Sequence, residues 1–234
     1  MFQTFIFIPL YNFLVFLVGV IPGNFMWIAV FVLTFVVKIF LIPLYKKQIK
    51  DQVVLSHVAP KAKALQEKHK ENKEVLAKET MALYREHKIN PLTSILLLLI
   101  QLPILFAIYK IFLDGVDKHL NVLYSFVNKP DFINNFFFGI NLAEKSLIIV
   151  VLAVASQYLA NIFMFAKKPD ASAGEFAQSL HVQIKYIFPI MIGIFSYVTP
   201  AVISVYIIAG NVFAVIQEIL IRRPLEKKVK ANLK

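Results

Sequence analysis

Lys38 is the residue least explained by ordinary packing. It lies inside Phe25–Tyr45, FMWIAVFVLTFVVKIFLIPLY, an apolar run followed at once by Lys46, Lys47 and Lys50. About 20 mostly apolar residues suffice for a helix to cross a bilayer, and the basic run marks a cytoplasmic end. Lys38 precedes Lys46 by eight residues, which on one helix sets it about 12 Å deeper than that interface. An isolated lysine near the bilayer centre costs about 2.5–3.5 kcal/mol on insertion scales. Two readings are open: a stem that snorkels toward the inner interface, or an ammonium facing a water-filled cavity inside the membrane. Thr34 lies one turn earlier on the same helix face. Gln101, Gln157, Asn161, Ser204 and Asn211 sit at membrane depth in other apolar runs. Each alone reads as an interhelical hydrogen bond, typically about 0.6 kcal/mol. Together with a lysine and no acidic partner in mid-membrane, they favour a shared polar cavity.

Other chemistries lack their residues. His57, His69, His87, His119 and His181 are dispersed without metal-ligand spacing. No Gly-rich phosphate loop, HExxH, GxSxG or intramembrane pair of aspartates occurs, and there is no cysteine for thiol catalysis or a disulfide. The expectation is therefore no catalytic residue, no metal, no cofactor and no enzymatic activity.

The elements that position these groups follow from composition. Hydrophobic residues make up 59%, with 22 Phe and a mean hydropathy of +0.69. That overrules the soluble prior and gives an all-α polytopic membrane protein. Five spans are expected: 24–47, 91–113, 146–166, 183–199 and 200–221. Residues 1–23 carry no Lys or Arg and have apolar residues at roughly helical spacing. They read as an amphipathic helix on the outer interface, with a further span as the alternative. Segment 48–90 has two apolar stripes, Val54, Val58, Ala62 and Leu65, then Val75, Leu76, Met81, Leu83 and Tyr84. It reads as a helical hairpin of two helices of about 15 residues turning near Lys70–Lys73, with Pro60 at a kink or helix start. Segment 114–145 is an aromatic extracytoplasmic loop, 167–182 a cytoplasmic loop and 222–234 a basic cytoplasmic tail. Glu218 and Arg222 read as an ordinary i,i+4 pair at the interface.

Charge orients the chain. Eleven Lys/Arg lie between Lys46 and Lys88, three in 167–185 and six in the tail. The loop 114–145 has three lysines against four acids, and the N-terminal stretch has no basic residue. The positive-inside rule gives N-terminus out and C-terminus in. The formal net charge of +11 is thus largely a topological signal.

The runs VVKIFLIPLYKKQIK, VAPKAKALQEKH, ALYREHKINPL, LIQLPILFAIY and SQYLANIFM, in this order over nearly the whole chain, resemble the YidC/Oxa1/Alb3 membrane protein insertases. The resemblance implies five core spans, N-out and C-in, with a cytoplasmic hairpin between the first two. It implies a hydrophilic groove open to cytoplasm and lipid and closed outside, with a positive residue at the position of Lys38, usually arginine. Gln157 matches a groove glutamine. Tyr206 is followed by Ile207 where the family usually has tryptophan, and Asn211 is retained. A compact bacterial member in the cell membrane is implied. Its partners would be nascent membrane proteins and the bilayer, with the ribosome, through the basic tail, and the Sec translocon as further candidates. The tail reads equally as an anchor on anionic lipid. The competing class is a small transporter or channel using Lys38 as an ion or substrate site. Broken helices, paired repeats or an acidic coupling residue would mark it, and none is evident in the sequence.

A cysteine placed at Asn72 should react only with reagent on the cytoplasmic side, and one at Asn128 only from outside. Labelling of both from the same side would end the five-span assignment.

Overall fold

The computed structural model describes residues 1–70, 72–88, 90, 93–164 and 183–232. The expected loop 167–182, the Pro91 start of the second span and the last two residues of the tail lie outside them. The described chain is mostly helical.

A π-helical turn, Gln3–Phe7, runs into α1, Ile8–Val20. Gln3–Val20 is long and apolar enough to cross a membrane. It packs along α2 and α5 and also touches the 114–145 loop. Phe7 meets His119 edge-on at 4.9 Å, and the Tyr11 hydroxyl donates to Val116 O at 2.8 Å. Asn12 donates to Val122 O at 2.9 Å and accepts from Tyr124 N at 2.6 Å. A Cβ on Gly19 would stand 4.0 Å from the Asn128 carbonyl.

The chain then turns through Gly23 (φ +76°) and Asn24 (φ +52°), the first a conformation that glycine adopts without steric cost. Helix α2, Met26–Phe40, follows. Its start is tied to the loop, because Met26 N donates to Asn134 O at 2.9 Å and Asn134 N donates to Asn24 O at 3.0 Å.

The run 25–45 is not one straight helix. Helix α3, Ile42–Lys68, carries Pro43 in its first turn, and its axis departs from α2 by 56°. Proline supplies no N–H and its ring crowds the preceding turn, so the ladder opens there. Lys38 therefore sits in the last turn of α2, three residues before the break at Leu41. Helix α3 continues unbroken through Pro60 for 27 residues. It is longer than the pattern suggested, because the only break is at Leu41. The turn falls where it was expected: Asn72 caps α4, Lys73–Glu86, accepting from Val75 N at 3.1 Å.

Helix α5, Thr93–Asp114, ends at Gly115, whose φ of +91° redirects the chain by 111° into a 3-10 segment, Val116–Val122. Strands β1, Phe136–Phe137, and β2, Ile140–Asn141, form a tight hairpin. Its turn is Phe138–Gly139, both at positive φ as two-residue hairpins require.

After α6, Leu147–Met164, come a π-helical turn Gln183–Ile187 and α7, Phe188–Val198. The short turn at Thr199 and Pro200 was legible in the sequence, and the Thr199 hydroxyl donates to Phe195 O at 2.9 Å. Helix α8, Ala201–Gln217, is the central mast, with all of Ala201–Ile207 buried. A helix apolar on every side belongs in the middle of a bundle. Helices α2 and α6 both pack along it. Its first amides would be orphans, and the loop satisfies them: Ala201 N donates to Glu144 O at 2.8 Å and Val202 N to Leu142 O at 3.0 Å.

The basic tail is structured. Through a π-helical turn, Glu218–Arg222, the chain enters α9, Arg223–Asn232, which packs against α3. Leu225 and Val229 are half-buried on its inner side, while Ile49 and Val53 are buried on α3. The Glu218–Arg222 pair forms at 3.5 Å, with Arg223 at 3.9 Å as a second partner. The i,i+4 pair read from the sequence is present; Glu218 is 6% exposed, while the arginines reach toward the surface.

Asn12 is 2% exposed and holds the loop through the Val122 and Tyr124 backbone. Asn12→Ala leaves a buried N–H unpaired, at about 1–3 kcal/mol. Thermal unfolding in detergent should show a lowered midpoint, and an unchanged midpoint would remove this tie from the account.

Candidate functional polar network

Three helices converge on Lys38. Helix α2 supplies Lys38, α5 supplies Gln101 and α8 supplies Tyr206. Lys38 Nζ donates to Gln101 Oε1 at 3.3 Å, and Gln101 Nε2 donates to the Tyr206 hydroxyl at 2.6 Å. The order of the chain follows from charge. An ammonium has donors only, so the amide must present its oxygen to Lys38 and its NH2 group to Tyr206. The tyrosine oxygen accepts, and its own proton remains to donate. The two bonds differ in tightness. Charge-assisted N–H···O bonds usually fall at about 2.7–2.9 Å, so the 3.3 Å contact holds the cation loosely. Lys38 is half-buried, Tyr206 is 6% exposed, and the cation's hydrogen-bond partner among the described residues is neutral.

A second polar group lies between α6 and α8. Asn211 Nδ2 donates to Ser156 Oγ at 2.9 Å, and Ser156 Oγ donates to Ala153 O at 2.8 Å. Gln157 Nε2 donates to Asn161 Oδ1 at 3.1 Å, one turn on along α6. Asn161 is 2% exposed. The Asn211–Ser156 bond joins α8 to α6, and the other two lie within α6, in a setting where lipid offers no partner.

The sequence-selected residues thus divide. Lys38 and Gln101 meet directly, whereas Gln157, Asn161 and Asn211 belong to the second group. Thr34 shares the Lys38 face, but its hydroxyl donates to Val30 O of its own helix at 2.6 Å and it is 1% exposed. Ser204 is fully buried, and its hydroxyl makes no hydrogen bond among the described residues. Two members escaped selection from sequence. Tyr206 was noted only for the residue that follows it, although a mid-span hydroxyl needs a partner as much as an amide does. Ser156 stands next to Gln157 and is turned toward α8. Ala153, Ser156 and Ala160, spaced i, i+3 and i+7, form a small-residue face that lets two helices approach.

The sequence model described as 60Kd inner membrane protein matches residues 16–228. The chain belongs to the YidC/Oxa1 family. A Fusobacterium nucleatum protein named membrane protein insertase YidC is 31% identical over 202 residues, covering 86% of this chain and 87% of the relative. Proteins of the same name from Clostridium perfringens and Oceanobacillus iheyensis are 29% identical over 205 residues and 28% identical over 206. Those alignments cover 87% and 86% of this chain, and 81% and 76% of the relatives. As a YidC/Oxa1 member, the chain is a multi-pass bacterial membrane protein and not an enzyme. The long apolar helices fit that class.

The network makes a thermodynamic prediction. In a double-mutant cycle, Gln101→Leu and Tyr206→Phe should show a coupling of about 0.5–1 kcal/mol in unfolding free energy. Additive losses would mean that the two side chains do not act as a unit.

Proposed function

We propose that this protein inserts nascent membrane proteins. It passes their hydrophilic segments through a cytoplasm-open intramembrane groove and releases their apolar segments sideways into lipid. The observation that carries the reading is the loosely held cation. Lys38 is anchored by a neutral amide at 3.3 Å, so an arriving carboxylate meets a positive charge not already neutralised by an acid. Low-dielectric surroundings strengthen that attraction. The work is physical. Polar, hydrated space partway into the bilayer shortens the hydrocarbon path of a hydrophilic segment, and apolar burial in lipid then favours release.

In this reading Lys38, Gln101 and Asn211 line the groove with Gln157 and Asn161, while Thr34 and Ser204 lie in its walls. The five spans are 24–47, 91–113, 146–166, 183–199 and 200–221, N-out and C-in. Support for α1 lying on the outer interface comes from the bonds of Tyr11 and Asn12 to the 114–145 loop. The hairpin 48–90 receives clients at the cytoplasmic mouth. The break at Leu41 suits this arrangement, because it turns a polar helix away from the span axis. The basic outer side of α9 is a candidate ribosome contact, and the Sec translocon is a candidate partner.

Reconstituted in liposomes with a single-span client, Lys38→Arg should retain insertion. Lys38→Met should impair clients with acidic tails by several-fold while remaining folded, because removing an intramembrane charge relieves a cost of a few kcal/mol, and Lys38→Glu should impair them most. Equal insertion by all variants would reduce Lys38 to a snorkelling residue. Equal loss for acidic and neutral tails would assign it to hydration of the groove and not to charge.

A further inference from the structure

Helices α2 and α6 each pack on α8 but diverge from one another, and a crevice of about 300 Å3 lies between them. Phe31 of α2, Ile149, Leu152 and Leu159 of α6, and Ile208 of α8 line it. Phe137 of the β-hairpin closes its loop-side end. On its outer lip Leu152 and Leu159 are exposed by 47% and 54%, so the crevice is continuous with the apolar flank of the bundle. The one polar residue of its lining, Ser156, turns its hydroxyl to Ala153 O and receives Asn211. The crevice surface is apolar throughout.

Its dimensions decide what fits. From Ile149 to Leu159 is ten residues of helix, about 15 Å. That is half of a hydrocarbon core about 30 Å thick, or one leaflet. The volume of about 300 Å3 is the space open to the centre of a water-sized sphere over this length, and its mean cross-section of roughly 20 Å2 becomes a slot roughly 8 Å across once the sphere's ~1.4 Å radius is added on each side. Carbon chains touch at about 3.5–4.0 Å between atoms, so an extended hydrocarbon chain fits such a slot with room to move sideways. A client helix, about 10–12 Å in diameter with its side chains, does not fit.

We infer that the α2–α6 crevice holds one acyl chain of a phospholipid from the leaflet on the side of the 114–145 loop. The chain enters beside Phe137 with its terminal methyl near Leu159. It completes the flank of α8 that α2 and α6 leave open. The inference rests on α2, α6 and α8 crossing the membrane and is independent of whether clients are inserted.

The test uses the full chain in vesicles of phosphatidylethanolamine and phosphatidylglycerol. These contain a trace of phosphatidylethanolamine with a photoactivatable group at the end of one acyl chain or at its middle. Mass spectrometry then locates the adducts. The chain-end probe should label the Leu159 region and the mid-chain probe the Leu152 region, both above the level on α7 at Ile190 and Ile194, which are freely exposed. Ala155→Phe, which fills the crevice, should lower the α6 labelling by at least about tenfold and leave α7 labelling unchanged. Ala155→Leu should lower it less and serves if the larger side chain prevents folding. Uniform labelling of α6 and α7 in the unaltered protein, or α6 labelling indifferent to both substitutions, overturns the inference. So does displacement of the lipid adducts by a client helix carrying the same photoactivatable group. Client insertion, measured on the same vesicles, reports separately on the insertase reading.

Discussion

Hydrocarbon offers no hydrogen-bond partner, so every amide, hydroxyl and ammonium carried into it must find one within the protein. The structure is arranged around that constraint at the junction of α2, α5 and α8. An ammonium from one helix, an amide from the second and a phenol from the third satisfy one another in a fixed order, Lys38 to Gln101 to Tyr206. The same requirement places Asn211 against Ser156 and turns Thr34 back on its own helix. The cation differs from the others in degree. It has three donors and a single long bond to a neutral group, so its electrostatic potential is held in place but not quenched.

The loop 114–145 does for the helix ends what these side chains do for the helix interiors. Its carbonyls receive the first amides of α8, and its backbone exchanges bonds with the start of α2. Its 3-10 segment is held by Tyr11 and Asn12 of α1. The starts of α2 and α8 and the middle of α1 are thereby fixed to one piece of chain. The opposite end is built differently. There Pro43 breaks the first long helix, and α9 docks on α3 beside the buried Glu218 with its two arginines. Arg222 also lies close to the Tyr45 hydroxyl just past the break. The hairpin is thus braced at its base by the end of the same helix that carries Tyr206 and Asn211.

Composition and pattern made the class legible. The long apolar runs, the asymmetry of Lys and Arg and the intramembrane lysine depend on local solvation, and solvation is a property of each residue in turn. The turn at Asn72 and the turn at Thr199 and Pro200 were legible for the same reason, since capping and proline geometry act over four residues. The family runs were legible because they are strings, and the matching of residues 16–228 agrees with them.

Pairing between distant residues was decided only by tertiary structure. Sequence placed Lys38, Gln101, Gln157, Asn161 and Asn211 at similar depth, but depth does not say which side chains meet. Helix rotation and packing on α8 put Gln101 with Lys38 and sent Asn211 to Ser156, which spacing had passed over. Tyr206 became part of the site because Ala201–Ile207 of α8 are all buried and its hydroxyl had to find a partner inside the bundle. Pro43 was visible in the string, yet whether it kinks a helix or merely starts one depends on what the next turns pack against. The tail's cations were visible too, but its folding onto α3 required the apolar stripe of a helix far away in sequence. Hydrophobicity and charge are local properties and were readable along the chain. The partner of a buried polar group is set by where other helices happen to lie.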